Sequence, residues 1–137
     1  MNDQETTSEF EQKVSDCFLA DGPLVGATSH FVSRPGQREM ALAVARAIEE
    51  KSVLVAEAGT GTGKTFAYLT PALLSGSKVI VSTAGKPLQD QLYAKDLPAL
   101  HSALKTATSV AVLKGRSNYI CLQRLSHARS DGLPSKE

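Results

Sequence analysis

One stretch of the sequence, "EAGTGTGKT" at residues 57–65, has the residue types and spacing of a phosphate-binding loop. Ala58 is followed by four residues and then by Gly63, Lys64 and Thr65, the order of a P-loop with Ala in place of the usual first Gly. Glycines adopt backbone angles that other residues avoid, so such a loop can turn its N–H groups inward around an anion. The lysine then reaches the β- and γ-phosphates, and the threonine hydroxyl holds Mg²⁺. The candidate site for a nucleoside triphosphate and Mg²⁺ comprises Ala58, Gly59, Thr60, Gly61, Thr62, Gly63, Lys64 and Thr65, with Lys64 and Thr65 as its catalytic residues.

The segments that flank this loop decide between a nucleotide site and a chance glycine-rich turn. An apolar run, "VLVA", precedes the loop, and a helical pattern, "KTFAYLTPALL", follows it. This is the strand–loop–helix setting that the motif needs, so a nucleotide site is favoured. The loop alone does not identify the reaction, because nucleotide kinases, GTPases, transporter ATPases and helicases all share it.

Alternating strand and helix patterns surround the loop and predict an α/β fold. The segments "SVLVAEA", "KVIVST" and "SVAVLKG" are short β-branched runs, which predicts buried strands. Helices are predicted for "PGQREMALAVARAIEEK", for residues 63–74, for two pieces divided at Pro98, and for "NYICLQRLSHAR". Strands that alternate with helices favour a parallel sheet. The predicted fold is therefore a short parallel sheet flanked by helices.

The composition excludes several classes of protein. The chain of 137 residues is 42% apolar and 21% charged, as is usual for globular proteins. Its apolar runs are too short to cross a bilayer, and its polar start lacks the features of a secretion signal, so no membrane partner is predicted. Two cysteines, Cys17 and Cys121, give no disulfide framework, which favours a reducing, cytoplasmic location.

Charge and polarity vary along the chain. Residues 1–16 are predicted as a flexible acidic arm, and residues 129–137 as a polar tail. Residues 78–137 carry nine Lys and Arg against four Asp and Glu, whereas residues 1–77 carry six against ten. A basic half could face a polyanion. From charge alone, however, a normally solvated surface is the favoured interpretation.

Three further segments resemble superfamily 2 helicases. "RPGQREM", with Arg34 and Gln37, resembles the glutamine motif, whose amide pairs with the N6 and N7 edge of adenine. "VIVSTAGKPLQDQL" resembles motif Ia, which meets the DNA backbone, although Ser and Thr at such a turn also serve as helix caps. "LKGRSNYIC" resembles the entry to the iron–sulfur domain of the XPD/DinG helicases, where Cys121 matches the first of four cluster cysteines.

The order and spacing of these segments make the chain similar to the DinG branch of that family. The resemblance implies a partial P-loop NTPase (RecA-like) motor lobe over residues 17–128, with the iron–sulfur domain starting near Cys121. It implies ATP, Mg²⁺, 5′-to-3′ movement on single-stranded DNA, DNA repair, a clamp-loader accessory subunit as a partner, and a 4Fe-4S cluster in a full-length protein. The residues it implies are Arg34 and Gln37 for ATP, Ser82, Thr83, Gly85, Lys86 and Arg116 for DNA, and Cys121 for the metal cluster.

The chain also departs from the family pattern. It contains no Asp–Glu dipeptide to hold Mg²⁺ and orient water, and it has two cysteines where a 4Fe-4S cluster takes four. We therefore expect the N-terminal part of a longer helicase, which binds ATP weakly and is not catalytically competent by itself. Two other functions stay open. The length suits a small P-loop phosphotransferase, and the missing acidic pair favours a non-catalytic nucleotide-binding or partner-docking module.

Overall fold

The computed structural model describes residues 7–27 and 31–130, and these residues form a helical fold. A 3-10 turn, Pro23–Gly26, follows α1, and a second one, Arg116–Asn118, precedes α6. A π-helical turn, Leu92–Asp96, joins α4 to α5. The helices are α1 (Glu9–Cys17), α2 (Pro35–Glu50), α3 (Lys64–Leu74), α4 (Lys86–Gln91), α5 (Leu97–Leu104) and α6 (Leu122–Ser130).

The prediction of an α/β fold with a short parallel sheet is wrong. Within the described residues, the structure contains helices and turns but no strand. The three runs predicted as buried strands have no regular structure, and no backbone hydrogen bond joins one described run to another. Their large side chains face solvent, with Val53 92% exposed and Ile80 95% exposed. A strand needs a partner for its backbone groups, whereas a helix satisfies its own, and here only the helices form.

Local sequence signals explain where the two central helices begin and end. α2 starts with Pro35 in its first turn, where a missing N–H costs nothing, and ends at Lys51 in the left-handed conformation with φ of 52°. α3 starts after Gly63, whose φ of 83° is also left-handed. The predicted helices at 35–51 and 63–74 are thus confirmed within a residue or two.

The hydrophobic core lies where α2 packs on α3 and where α1 and α5 cover them. Ala41 and Ala45 of α2 and Ala67 of α3 are fully buried, and their small side chains let the two helices approach closely. Phe31 stacks on Phe66 with ring centroids 5.8 Å apart. Burial of each large apolar side chain stabilises the fold by about 1.5–3 kcal/mol. Besides Phe66, the largest apolar members of the core are Val14, Phe18, Leu24, Leu69, Leu73, Leu92 and Leu100.

Residues 9–16 of the predicted acidic arm form most of α1, which is packed against α2. Ser8 caps this helix by accepting a hydrogen bond from the backbone N–H of Glu11 at 3.0 Å. Val14 is completely buried, and the carboxylate of Glu11 forms an ion pair with Arg46 of α2 at 3.0 Å. One acidic residue of the arm, Glu11, therefore pairs with α2 while Val14 enters the core. Residues 1–6 lie outside the described residues, as does most of the predicted polar tail.

The described helices are short. α2, the longest, has 16 residues, and α6 has no buried residue along its length. None of the helices in residues 7–27 and 31–130 combines the length and the hydropathy that a bilayer span requires.

Candidate functional site

The predicted phosphate-binding loop connects the run that ends at Ala58 to the start of α3. Gly61 and Gly63 have φ of 73° and 83°, in the region that favours glycine. Thr62 Oγ1 donates to the carbonyl of Gly59 at 2.8 Å, which closes the loop on itself. The first N–H groups of a helix have no partner within it and carry the positive end of the helix dipole. Loop and helix start together are thus suited to an anion.

Lys64 lies against this loop with its ammonium group turned inward. Its Nζ donates to the carbonyl of Gly59 at 2.7 Å and also to the carbonyl of Ala58. These two carbonyls hold the ammonium at the loop, where a phosphate oxygen could take their place as its acceptor. The contact of Lys64 with the β- and γ-phosphates stays a prediction, and the structure shows its ammonium against the loop.

Arg34 and Gln37, at the start of α2, contact the same loop. Arg34 donates from Nη1 to the carbonyl of Gly61, and Gln37 donates from Nε2 to the carbonyl of Gly63 at 3.0 Å. Gln37 is 6% exposed, and its Oε1 is buried without a hydrogen-bond partner among the described residues. A buried acceptor that lacks a donor is costly, so this oxygen is suited to an amino group supplied by a ligand.

A cavity of about 540 Å³ lies between the start of α2 and the loop. Its lining includes Arg34, Gln37, Ala58, Thr62 and Lys64, which the sequence separates by up to 30 positions. The structure thus brings Arg34 and Gln37 to one cavity with three of the eight predicted phosphate-binding residues, Ala58, Thr62 and Lys64. The other five, Gly59, Thr60, Gly61, Gly63 and Thr65, do not line it. A carboxylate, Glu57, also lines it.

Thr65, the predicted Mg²⁺ ligand, occupies the first turn of α3. Burial raises the pKa of the Tyr68 phenol above its ordinary value, and a side-chain hydrogen bond with Thr65 works against that shift. Tyr68 therefore stays protonated at neutral pH. Hydroxyl and carboxylate oxygens suit Mg²⁺, so Thr65 is chemically able to serve as one of its ligands.

Four of the five predicted DNA-contact residues line a second, separate groove. A cavity of about 1110 Å³ separates residues 76–86 from residues 107–115, and its lining includes Ser82, Thr83, Gly85 and Lys86. Lys86, at the start of α4, is exposed. Arg116, also exposed, lies in the 3-10 turn beyond the other side of this groove. No residue lines both cavities.

Two contacts that the sequence does not reveal join α4 to the segment before Arg116. Gln89 Nε2 donates to the carbonyl of Leu113 at 2.9 Å, and Lys114 Nζ lies 2.7 Å from Asp90 Oδ1. The only sequence signals were the positions of Gln89 and Lys114 inside segments that resemble helicase motifs. Neither the pairing nor the partner of either residue follows from that resemblance.

The two cysteines differ in environment and do not form a metal site together. Cys121 is exposed, whereas Cys17 is buried in α1, where its Sγ donates to the carbonyl of Lys13 at 3.2 Å. Burial, and secondarily the nearby charge of Asp16, raises the pKa of the Cys17 thiol. A 4Fe-4S cluster takes four thiolates, so the donors in this chain do not fit one.

Comparison with known proteins gives one family and a set of relatives. The family described as "DEAD/DEAH box helicase" matches residues 34–131. The chain is similar to "ATP-dependent DNA helicase YoaA" of Escherichia coli, with 58% identity over 112 residues that cover 82% of this chain and 18% of the relative. YoaA of Haemophilus influenzae is 50% identical over 91% of this chain and 20% of the relative.

More distant relatives carry a second name. "ATP-dependent helicase DinG" of Mycobacterium tuberculosis is 48% identical over 69% of this chain and 16% of the relative. The chain thus spans about a fifth of the length of the curated relatives that it matches. No solved structure matches it.

Proposed function

Because this chain belongs to the DEAD/DEAH box helicase family, we propose that it carries the ATP-binding part of a DNA helicase of the DinG and YoaA type. One observation carries the proposal. The P-loop, Arg34 and Gln37 meet at one cavity, with Lys64 hydrogen-bonded to the loop that a triphosphate would occupy. The names of the relatives support ATP as the nucleotide and DNA as the substrate of the whole protein.

Each residue of the site has a proposed role in ATP binding. The backbone N–H groups of the loop surround the phosphates, and Lys64 exchanges its loop carbonyls for phosphate oxygens. Thr65 supplies a hydroxyl ligand to Mg²⁺, which neutralises phosphate charge when it is bound. The unpartnered Oε1 of Gln37 accepts a hydrogen bond from the adenine amino group. Ala58, Gly59, Thr60, Gly61, Thr62 and Gly63 form the loop itself, and Arg34 holds it by the carbonyl of Gly61.

The second groove is the proposed site of single-stranded DNA. Ser82, Thr83 and Gly85 offer hydroxyl and N–H groups to the DNA backbone, and Lys86 and Arg116 offer positive charge. In the whole protein, we propose that ATP hydrolysis drives 5′-to-3′ movement of the strand in DNA repair. This chain lacks an Asp–Glu dipeptide, so nucleotide binding is its expected activity and rapid turnover is not.

Other parts of the proposal rest on the family resemblance alone. Cys121 is proposed as one cluster ligand of a longer protein, because its thiol is exposed and follows the "GRSNYIC" pattern. A clamp-loader accessory subunit is proposed as a partner, and the cytoplasm as the location.

Replacing Lys64 tests the nucleotide site. We expect ATP with Mg²⁺ to raise the melting temperature of the parent chain but not of Lys64→Ala, because the variant lacks the cation that binds the phosphates. Lys13→Ala, which removes an exposed lysine of α1, is the matched control and should keep the full shift. Equal protection of Lys64→Ala and the parent by ATP would show that the loop is not the site.

A further inference from the structure

We propose that Gln89, Asp90 and Lys114 are positioning residues. They hold α4 and the 3-10 turn Arg116–Asn118, here called the Arg116 turn, as one unit. Lys86 and Arg116 then bind the same DNA strand at a fixed spacing. The inference rests on the proposed function, because it assumes that these two cations contact DNA. It adds a device that sets their relative position.

The attachment of α4 to the segment before Arg116 has two points. Gln89 donates from Nε2 to the carbonyl of Leu113 at 2.9 Å, and Asp90 pairs with Lys114 at 2.7 Å. Gln89 and Asp90 are adjacent in α4, and their partners Leu113 and Lys114 are adjacent in the segment before Arg116. In each pair, 24 positions of sequence separate the two partners. One contact would leave a pivot. Two adjacent contacts fix orientation as well as distance.

Hydrogen bonds among residues 114–119 connect the attached segment to Arg116. The backbone N–H of Lys114 donates to Tyr119 Oη at 2.8 Å, and the N–H of Asn118 donates to the carbonyl of Gly115 at 2.9 Å. The N–H of Tyr119 donates to the carbonyl of Arg116 at 3.2 Å. Lys114 is thus held by α4 through its side chain and by the turn through its backbone. A shift of α4 displaces the whole turn.

The cations around the groove divide into one that is paired, Lys114, and three that face solvent, Lys78, Lys86 and Arg116. The ammonium of Lys114 is committed to Asp90, and its side chain is 32% exposed. Lys86 and Arg116 are exposed, and the described residues place no carboxylate against either of them. A phosphate backbone attracts cations that are not already neutralised. Lys114 therefore positions the Arg116 turn, whereas Lys86 and Arg116 bind the DNA backbone.

Gln89→Ala removes one attachment point without a change in charge. We expect faster hydrogen exchange at the backbone amides of Lys114, Asn118 and Tyr119 in the free chain, because the turn loses an anchor. We also expect affinity for oligothymidylate, measured by fluorescence anisotropy, to fall about threefold, the effect of one modest hydrogen bond. Its salt dependence should not change, because no phosphate contact is removed.

Gln91→Ala is the matched control, because Gln91 lies on the same helix but bonds to Asp96 at 3.2 Å and not to the turn. It should leave both exchange and affinity at the parent values. Equal exchange in Gln89→Ala and Gln91→Ala would overturn the attachment. Faster exchange with unchanged DNA affinity would overturn the link to DNA binding.

A charge reversal provides the rescue. Lys114→Asp alone places two carboxylates together and should loosen the turn, whereas Lys114→Asp combined with Asp90→Lys restores an ion pair at the same place. We expect the double variant to recover parent-like exchange and affinity, and failure to recover overturns the positioning role. Lys86→Ala should lower the affinity and also reduce the salt slope by about 1. A parent chain that does not bind oligothymidylate overturns the DNA assignment itself, independently of the exchange result.

Discussion

Gln37 Nε2 lies 3.0 Å from the carbonyl oxygen of Gly63 and donates a hydrogen bond to it. This contact ties the first turn of α2 to the residue that ends the phosphate-binding loop. A Cβ at position 63 would lie 2.8 Å from Cδ of Gln37 and closer still to Nε2, so a side chain there would displace the Gln37 amide. The hydrogen bond from Gln37 to the carbonyl of Gly63 therefore depends on glycine at position 63.

Gly63→Ala should therefore abolish nucleotide binding. The alanine methyl would push the Gln37 amide away, and the φ of 83° would strain the backbone by about 1–3 kcal/mol. We expect a lower free energy of unfolding in denaturant and no stabilisation by ATP with Mg²⁺. Gly26→Ala is the control, because no atom lies within 4 Å of its added Cβ. Retained ATP binding in Gly63→Ala would contradict the close approach of Gln37 to the loop.

Gln37 should also control which nucleobase is bound. Its Oε1 is a buried acceptor without a partner, and adenine offers an N6 amino donor where guanine offers an O6 acceptor. We expect the parent chain to bind ATP more tightly than GTP by about tenfold, and Gln37→Ala to lose most of that preference. Titration calorimetry with both nucleotides measures the ratio. A variant that discriminates as well as the parent would remove Gln37 from the base-recognition site.

The candidate site was more predictable than the fold because its signal is local. The P-loop motif is eight consecutive residues, Ala58 to Thr65, and the left-handed Gly61 and Gly63 and the contacts of Lys64 with the loop carbonyls all lie within it. The contact of Gln37 with Gly63 spans 26 positions, and only the resemblance to a helicase motif placed the two in one site.

The strand predictions failed because a strand depends on its neighbours. "KVIVST" has strong β propensity, but propensity does not supply a partner, and Ile80 is 95% exposed with no described ladder beside it. The pairing of Asp90 with Lys114 was invisible for a similar reason, because nothing in either segment identifies the other. In the acidic arm, Glu11 adds to the negative charge that the prediction used, whereas Val14 is buried in the helix that packs on α2.

The environment of Cys17 predicts a pH dependence of stability. Burial and the charge of Asp16 raise the pKa of its thiol above the ordinary value of 9.0, so the folded state favours the neutral form. That stabilisation is complete below the ordinary pKa and is lost as the pH rises through the raised one. We expect the free energy of unfolding to decline above about pH 9, by at most about 1.4 kcal/mol per pH unit from this group.

Denaturation of the parent and of Cys17→Ala between pH 7 and pH 11 measures this effect. The variant should be less stable at pH 7, because a buried side chain is truncated, but its decline should be shallower. The phenol of Tyr68, whose pKa burial also raises, contributes a decline of the same sign at higher pH and remains in both proteins. If the free energy of unfolding falls with pH equally steeply in parent and variant, the pKa of Cys17 does not differ between the folded and unfolded states.

The same two cysteines predict that the chain assembles no iron–sulfur cluster. Cys17 is buried in α1 and bonded to the carbonyl of Lys13, while Cys121 is exposed, so at most one thiol is accessible without unfolding. A 4Fe-4S cluster needs four thiolates, and one accessible sulfur per chain cannot supply them.

We expect iodoacetamide to alkylate Cys121 in the folded chain and Cys17 only after denaturation. We also expect reconstitution with iron and sulfide to leave no brown absorbance after desalting. A stoichiometric cluster on a monomeric chain would contradict the assignment of Cys121 as a single ligand. Size-exclusion chromatography measures the mass of the species that carries a cluster. A cluster on a tetramer would show that four chains each contribute Cys121.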